Sequence, residues 1–113
     1  MKITLNGKEI ELVYSFRINL FYEQISGHSI DFANFTSNDL VNLFYCTVTA
    51  TLQKLKEESI TMMDFLDVID DNGGEKCVVE FSEWFVDVVK KQYEMLPEDD
   101  KKKLDPEGKK KTN

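Results

Sequence analysis

Apolar and polar residues alternate through KITLNGKEIELVYS, residues 2–15, on both sides of Asn6-Gly7. That pair tolerates the positive φ angles of a type I′ turn, so the pattern predicts a β-hairpin. Ile3 and Leu5 on one strand, and Ile10, Leu12 and Tyr14 on the other, fall at period 2 and are expected to share one face. An isolated hairpin is marginal in water, so that face needs a packing partner.

Beyond the hairpin the period changes to that of a helix. Ile18, Phe21, Tyr22 and Ile25 follow i, i+3, i+4, i+7 spacing after a candidate cap at Ser15, with Gly27 placed to end the helix. HSIDFANF, residues 28–35, connects to Thr36 and Ser37, either of which can cap a second helix from about 38 to about 55. Between Leu40 and Gln53 that helix has no charged residue, and Leu40, Val41, Leu43, Phe44, Tyr45, Val48, Ala50 and Leu52 wrap around it. A helix with so little polar face belongs at the centre of a fold. It is too short and too rich in Thr and Asn to span a bilayer, which takes about 20 mostly apolar residues.

Thr61 and Asp64 resemble a capping box before a third helix with Met62, Phe65, Leu66 and Ile69 in helical register, stopped by Asn72, Gly73 and Gly74. A fourth helix is expected from about Glu75 to Leu96, where Pro97 ends it. The remaining EDDKKKLDPEGKKKTN has the composition of an unfolded tail. The expected fold is α+β and mainly α: a hairpin packed on about four helices over residues 1–96, then a charged tail over 97–113.

The fourth helix carries more apolar surface than one core face requires. Cys77, Val78, Phe81, Trp84, Phe85, Val88 and Leu96 make one stripe, while Val79, Val86 and Tyr93 make a second at heptad spacing. Either the second helix and the hairpin flank both sides of this helix, or the second stripe is a partner groove or a self-association seam.

Charge narrows the partner class. The 113 residues hold 14 Lys and Arg against 21 Asp and Glu, a formal charge of −7. Nonspecific nucleic-acid affinity comes from basic groups displacing condensed counterions, and no basic stripe offsets this acidity, so no nucleic-acid partner is expected. The start of the chain lacks a basic region followed by an apolar run, which implies cytoplasmic residence.

Catalytic, metal and cofactor sites find no support. His28 is the one histidine and has no cysteine close in sequence; Cys46 and Cys77 form no C-x-x-C pair and sit in apolar helical patterns, as buried free thiols do. Asp67, Asp70 and Asp71 before Gly73 do not make a calcium loop, because aligning its required glycine to Gly73 puts Val68 at the first ligand position. Those aspartates read as a solvated helix end. The glycines are accounted for by turns, caps and tail, leaving no phosphate-binding loop.

NGKEIELVYSFRINLFYEQISGHSI, residues 6–30, resembles the opening of the small tail assembly chaperones of long-tailed bacteriophages. The shared pattern is an N-G-K hairpin turn, an alternating strand through Tyr14, a helix with Phe21 and Glu23, and a Ser26-Gly27-x-Ser29-Ile30 exit. The rest of the chain is similar only in being helical, acidic and of similar length. The resemblance implies a non-virion protein of the infected cell's cytoplasm with no enzyme activity. It would bind the long, aggregation-prone tape measure protein and help tail tube subunits assemble around it. On that reading Val79, Val86 and Tyr93 are contacts, with Trp84, Phe44 and Tyr45 at grooves between the second and fourth helices. The family's frequent second, frameshifted product makes Gly108-Lys109-Lys110-Lys111 a candidate slippery site; a merely soluble charged tail is the alternative. The different class of function compatible with the composition is an acidic inhibitor or DNA mimic that blocks a basic site on a partner.

Overall fold

Strands β1 (Lys2–Leu5) and β2 (Lys8–Glu11) pair antiparallel with Ile3 opposite Ile10 and Leu5 opposite Lys8. Asn6 and Gly7 take φ of 53° and 77°, the double positive value that a type I′ turn requires. The computed structural model describes residues 1–95, so the tail expected over 97–113, and Leu96, lie outside the described residues. Ile3, Leu5, Ile10 and Leu12 are buried, as their alternation predicts, whereas Tyr14 lies past β2 and is half-buried.

Helix side chains close both edges of this hairpin. In a two-residue hairpin the ladder bonds fall on Leu5–Lys8 and Ile3–Ile10, so Thr4 turns its N–H and C=O outward. The Asn72 carboxamide meets both: Thr4 N–H donates to Oδ1 at 2.9 Å, and Nδ2 donates to the Thr4 carbonyl at 2.9 Å. On the other edge, the Val13 N–H donates to Thr51 Oγ1 at 3.1 Å, and that hydroxyl lies 3.4 Å from the Val13 carbonyl. Asn72 and Thr51 thus replace the neighbouring strands that a two-stranded sheet lacks.

Helix α1 (Arg17–Ser26) begins differently from the sequence expectation. Its N-cap is Phe16 in right-handed helical conformation, with no side-chain cap; Ser15 instead offers its carbonyl to the Ile18 N–H at 3.1 Å. A capping hydroxyl needs an extended residue directly before the helix, and Phe16, one residue later, already turns. Gly27 ends α1 at φ 83°, its N–H donating to Glu23 at 2.9 Å. Ile18 and Tyr22 are buried, but Ile25, assigned to the same face by periodicity, is exposed. A short 3₁₀ turn, Phe32–Asn34, interrupts the connection. Asp31 organises it by accepting from the Ala33 N–H and the Asn34 amide, contacts that hold its carboxyl below the usual range.

Helix α2 (Ser37–Lys54) starts at a complete capping box. Asp39 N–H donates to Thr36 Oγ1 at 3.1 Å, and Thr36 N–H donates to Asp39 Oδ2 at 3.0 Å. Leu43, Phe44, Cys46, Thr47, Val48, Ala50, Thr51 and Leu52 are all buried, which makes α2 the central helix that its uncharged middle predicts. Thr47 satisfies its buried hydroxyl by donating to the Leu43 carbonyl one turn back, at 2.8 Å. Helix α3 (Met62–Asp71) is capped by Thr61, whose Oγ1 accepts from the Asp64 N–H at 3.1 Å. Helix α4 spans Glu75–Glu94. Phe44 ties α2 to both: it stacks on Phe81 with centroids 4.3 Å apart and meets Phe65 edge-on at 5.0 Å.

The chain is described as two units, Met1–Ser82 and a second that begins at Glu83. The division falls inside α4, because residues of a helix make most of their contacts within their own turns. The first unit contains the hairpin, the three preceding helices and the core around Phe44. In the second, Phe85 is buried and its ring lies 6.4 Å from that of Trp84. The fold is α+β and mainly helical. Among the described residues, no helix is long and apolar enough to cross a membrane.

Candidate partner-binding surface

The six residues expected to contact a partner separate into three groups. Phe44 is 1% exposed and held between Phe65 and Phe81, so it belongs to the core. Tyr45 is half-buried, with its hydroxyl donating to the Ile60 carbonyl at 2.7 Å and its ring tilted against Phe65. Its role is to fasten the chain ahead of α3 to α2. Phe44, expected at a partner contact, is instead core: on an almost uniformly apolar helix, periodicity cannot distinguish core from surface. Trp84 and Tyr93, in the second unit, are half-buried.

Val79 and Val86 are the residues of this set that stand open, at 52% and 47% exposure. In the first unit Val79 is uncovered while Cys77 and Phe81 on the same helix are buried. In the second unit Val86 is uncovered beside buried Phe85. Each unit thus leaves one residue of the second apolar stripe open.

Other exposed apolar side chains were not singled out from the sequence. Phe16 is 71% exposed and has Leu20, also exposed, one turn along α1. Met63 is 73% exposed on α3, with Leu66 beside it. Phe16, Leu20 and Met63 are apolar residues outside the main periodic stripes, and such residues also occur singly on ordinary surfaces. The spacing of Leu66 with Met62, Phe65 and Ile69 places it in the α3 stripe, yet it is 40% exposed.

The outer surface of α3 is acidic as well as apolar. Asp64, Asp67 and Asp71 follow i, i+3, i+7 spacing, which sets them on one side of the helix. They border a groove of about 340 Å³ whose lining includes Leu5, Asn6, Ile60 and Val68, so the hairpin turn forms its opposite wall. Among the described residues no cation lies within ion-pair distance of these aspartates; Lys8, at the hairpin turn, is paired with Glu57. Asp70 and Asp71 also stand at the carbonyl end of α3, where the helix dipole disfavours negative charge.

The buried titratable groups are not poised for chemistry. Burial pushes the Cys46 thiol up to about 12, and burial followed by nearby Glu80 raises Cys77. Both thiols are free. Tyr22 is wholly buried, its hydroxyl lacks a hydrogen-bond partner among the described residues, and burial followed by the Asp39 carboxylate raises its pKa. His28 lies edge-on to the Tyr22 ring at 5.7 Å, and its Nδ1 is 2.8 Å from the Ser29 carbonyl oxygen. Among the described residues, no group of three or more His, Cys, Asp and Glu side chains is arranged to hold a metal ion. In comparison with known proteins, no family model matches the chain, and neither a curated protein nor a solved structure matches it.

Proposed function

We propose that this chain is a tail assembly chaperone of the kind made by long-tailed bacteriophages. It acts in the host cytoplasm without catalysing a reaction, keeps the tape measure protein soluble and helps bring tail tube subunits to it. The observation that carries the binding role is the exposure of Val79 and Val86, apolar residues at heptad spacing on an acidic chain. Apolar surface of this kind can cover the stripe of an amphipathic helix, while net negative charge keeps the complex in solution. The assignment to tail assembly rests on the pattern of residues 6–30, from the Asn6-Gly7 turn to the exit at Gly27.

Coexpression with the product of the next long coiled-coil reading frame, read as the tape measure protein, provides the test. The chain should raise the soluble yield of that protein, and a V79K/V86K variant that melts normally should fail to do so. An unchanged yield with the native chain, or full activity of the variant, would remove the proposal. Reading the codons for Lys109 to Lys111 adds an independent check, since a slippery run followed by an overlapping frame belongs to this function and lysine codons that break the run do not.

The row of aspartates on α3, unpaired among the described residues, favours a second reading, an acidic inhibitor that occupies a basic site. The two differ in their response to salt: a charge-driven complex weakens steeply as ionic strength rises, and an apolar one does not.

A further inference from the structure

We propose that α3 and the hairpin turn form a docking face for a basic, amphipathic segment of a partner protein, distinct from the stripe on α4. The inference rests on the reading of this chain as a protein-binding module and deepens it by assigning the partner's chemistry.

Around the axis of α3, at about 100° per residue, Phe65 and Ile69 point to the core, and Val68 turns toward the groove. Asp64, Asp71 and Asp67 come next, followed by Met63, Asp70 and Leu66 on the far side. The three carboxylates therefore run as a row with Val68 and the groove along one flank and exposed Met63 along the other. An occupant that satisfies this arrangement needs cations over the row and apolar side chains to either side. Nucleic acid and an acidic segment supply no cations, and a purely basic or purely apolar segment supplies half.

The electrostatics identify the same occupant. Residues 61–74 contain no basic side chain. Asp67 and Asp71 are a like-charged i, i+4 pair, and Asp64 and Asp67 are a like-charged i, i+3 pair, both mutually repulsive on a helix. The negative end of the helix dipole adds to the same field. Lys or Arg is suited to this face because its aliphatic stem can lie on Leu5, Ile60 or Val68 in the groove while its charged head reaches the aspartates.

The experiment uses the full chain and three synthetic helices: one of leucine and lysine, one of leucine and glutamate, and one of serine and lysine. Binding is followed by NMR shifts of backbone amides and by titration. The leucine–lysine helix should shift residues of α3 and of the Thr4–Gly7 turn, and the other two should bind far more weakly. D64N/D67N/D71N should weaken the leucine–lysine complex about tenfold, the sum of three exposed ion pairs. The shifts of α3 and of the Thr4–Gly7 turn should persist in V79K/V86K, which separates this face from the chaperone stripe. Shifts confined to other surfaces, or full binding by the triple variant, overturn the proposal. So does equal binding of the serine–lysine helix, which would make the contact one of charge alone. Concentration-dependent shifts of α3 in the protein alone, with no response to peptide, would assign the face to a second copy and also overturn it. None of these failures bears on tape measure solubility, which the α4 variant tests separately.

Discussion

Replacing Asn72 tests how the hairpin is held against α3. The Asn72 side chain makes three contacts at once: it accepts from Thr4 N–H, donates to the Thr4 carbonyl and lies 2.7 Å from the Val68 carbonyl. A typical hydrogen bond contributes about 0.5–1.5 kcal/mol net, and the Thr4 groups of an Asn72→Ala variant can turn to water, so the loss should be about 1–2 kcal/mol. At a urea slope of roughly 2 kcal/mol/M that lowers the midpoint by about 0.5–1 M. Asn72→Asp should lose more, about 2–3 kcal/mol, because a carboxylate still accepts from Thr4 N–H but faces two carbonyl oxygens where the amide donated. It also adds a fourth charge to the end of α3. Hydrogen exchange provides the local readout. In Asn72→Ala the Thr4 amide should lose protection while the Val13 amide, held by Thr51, keeps it; in Asn72→Asp the Thr4 amide should stay protected despite the lower midpoint. A protected Thr4 amide in the alanine variant, or equal midpoints for the two variants, would refute the clamp.

Thr51→Val should cost about 1–3 kcal/mol, since it leaves the part-buried Val13 N–H without its acceptor, and Thr47→Val should cost clearly less because the Leu43 carbonyl already accepts within the helix; urea midpoints of the two variants decide it. Both cysteines should resist a thiol reagent at pH 8 in the folded protein and react fully in denaturant, since burial holds Cys46 near 12 and raises Cys77; rapid native labelling would contradict the burial. The Thr36 backbone N–H holds the Asp39 carboxyl below its usual range, so its stabilising effect is present above the unfolded carboxylate range and lost as pH falls through the depressed folded value. Acid titration of Asp39→Asn should lack that component. Asp70→Asn and Asp71→Asn should each raise stability, by about 0.3–1 kcal/mol, by removing negative charge from the carbonyl end of α3; lower melting temperatures would show that those carboxylates hold something in the isolated chain.

The sequence disclosed the elements through local chemistry and left their coverings obscure. Asn6-Gly7 forces the hairpin turn because both residues must take positive φ, and Thr36 wins the second cap over Ser37 because Asp39 can return the hydrogen bond. Ser15 looked equally suitable, yet its usefulness depended on the conformation of Phe16, which no pattern encodes. The 3₁₀ turn at Phe32–Asn34 is too short to have a period, and only Asp31 marked it. Phe44 and Val79 reverse the lesson: one was offered as a contact and is core, the other was offered as a contact and is open. Periodicity assigns a side chain to a face, and burial depends on what other elements bring to that face. The same limit hid the α3 surface, where Asp67, Asp70 and Asp71 read as a solvated helix end, although Asp67 and Asp71 border the groove beside the hairpin turn.

The placement of charge on α3 then has a physical explanation in the core. A ten-residue helix is too short to persist alone in water, and one with aspartates at its carbonyl end is disfavoured further. What holds α3 is tertiary: Phe65 packed edge-on against Phe44, Ile69 buried nearby, Thr61 capping one end, and Asn72 fastening the other to β1. A single buried aromatic such as Phe65 contributes roughly 3–5 kcal/mol, several times the cost of a misplaced surface charge. Helix formation is therefore secured from the inner face, and the composition of the outer face is free to answer to something other than stability. Four carboxylates and two exposed apolar side chains are a poor choice for an isolated helix and a suitable one for a basic, amphipathic partner.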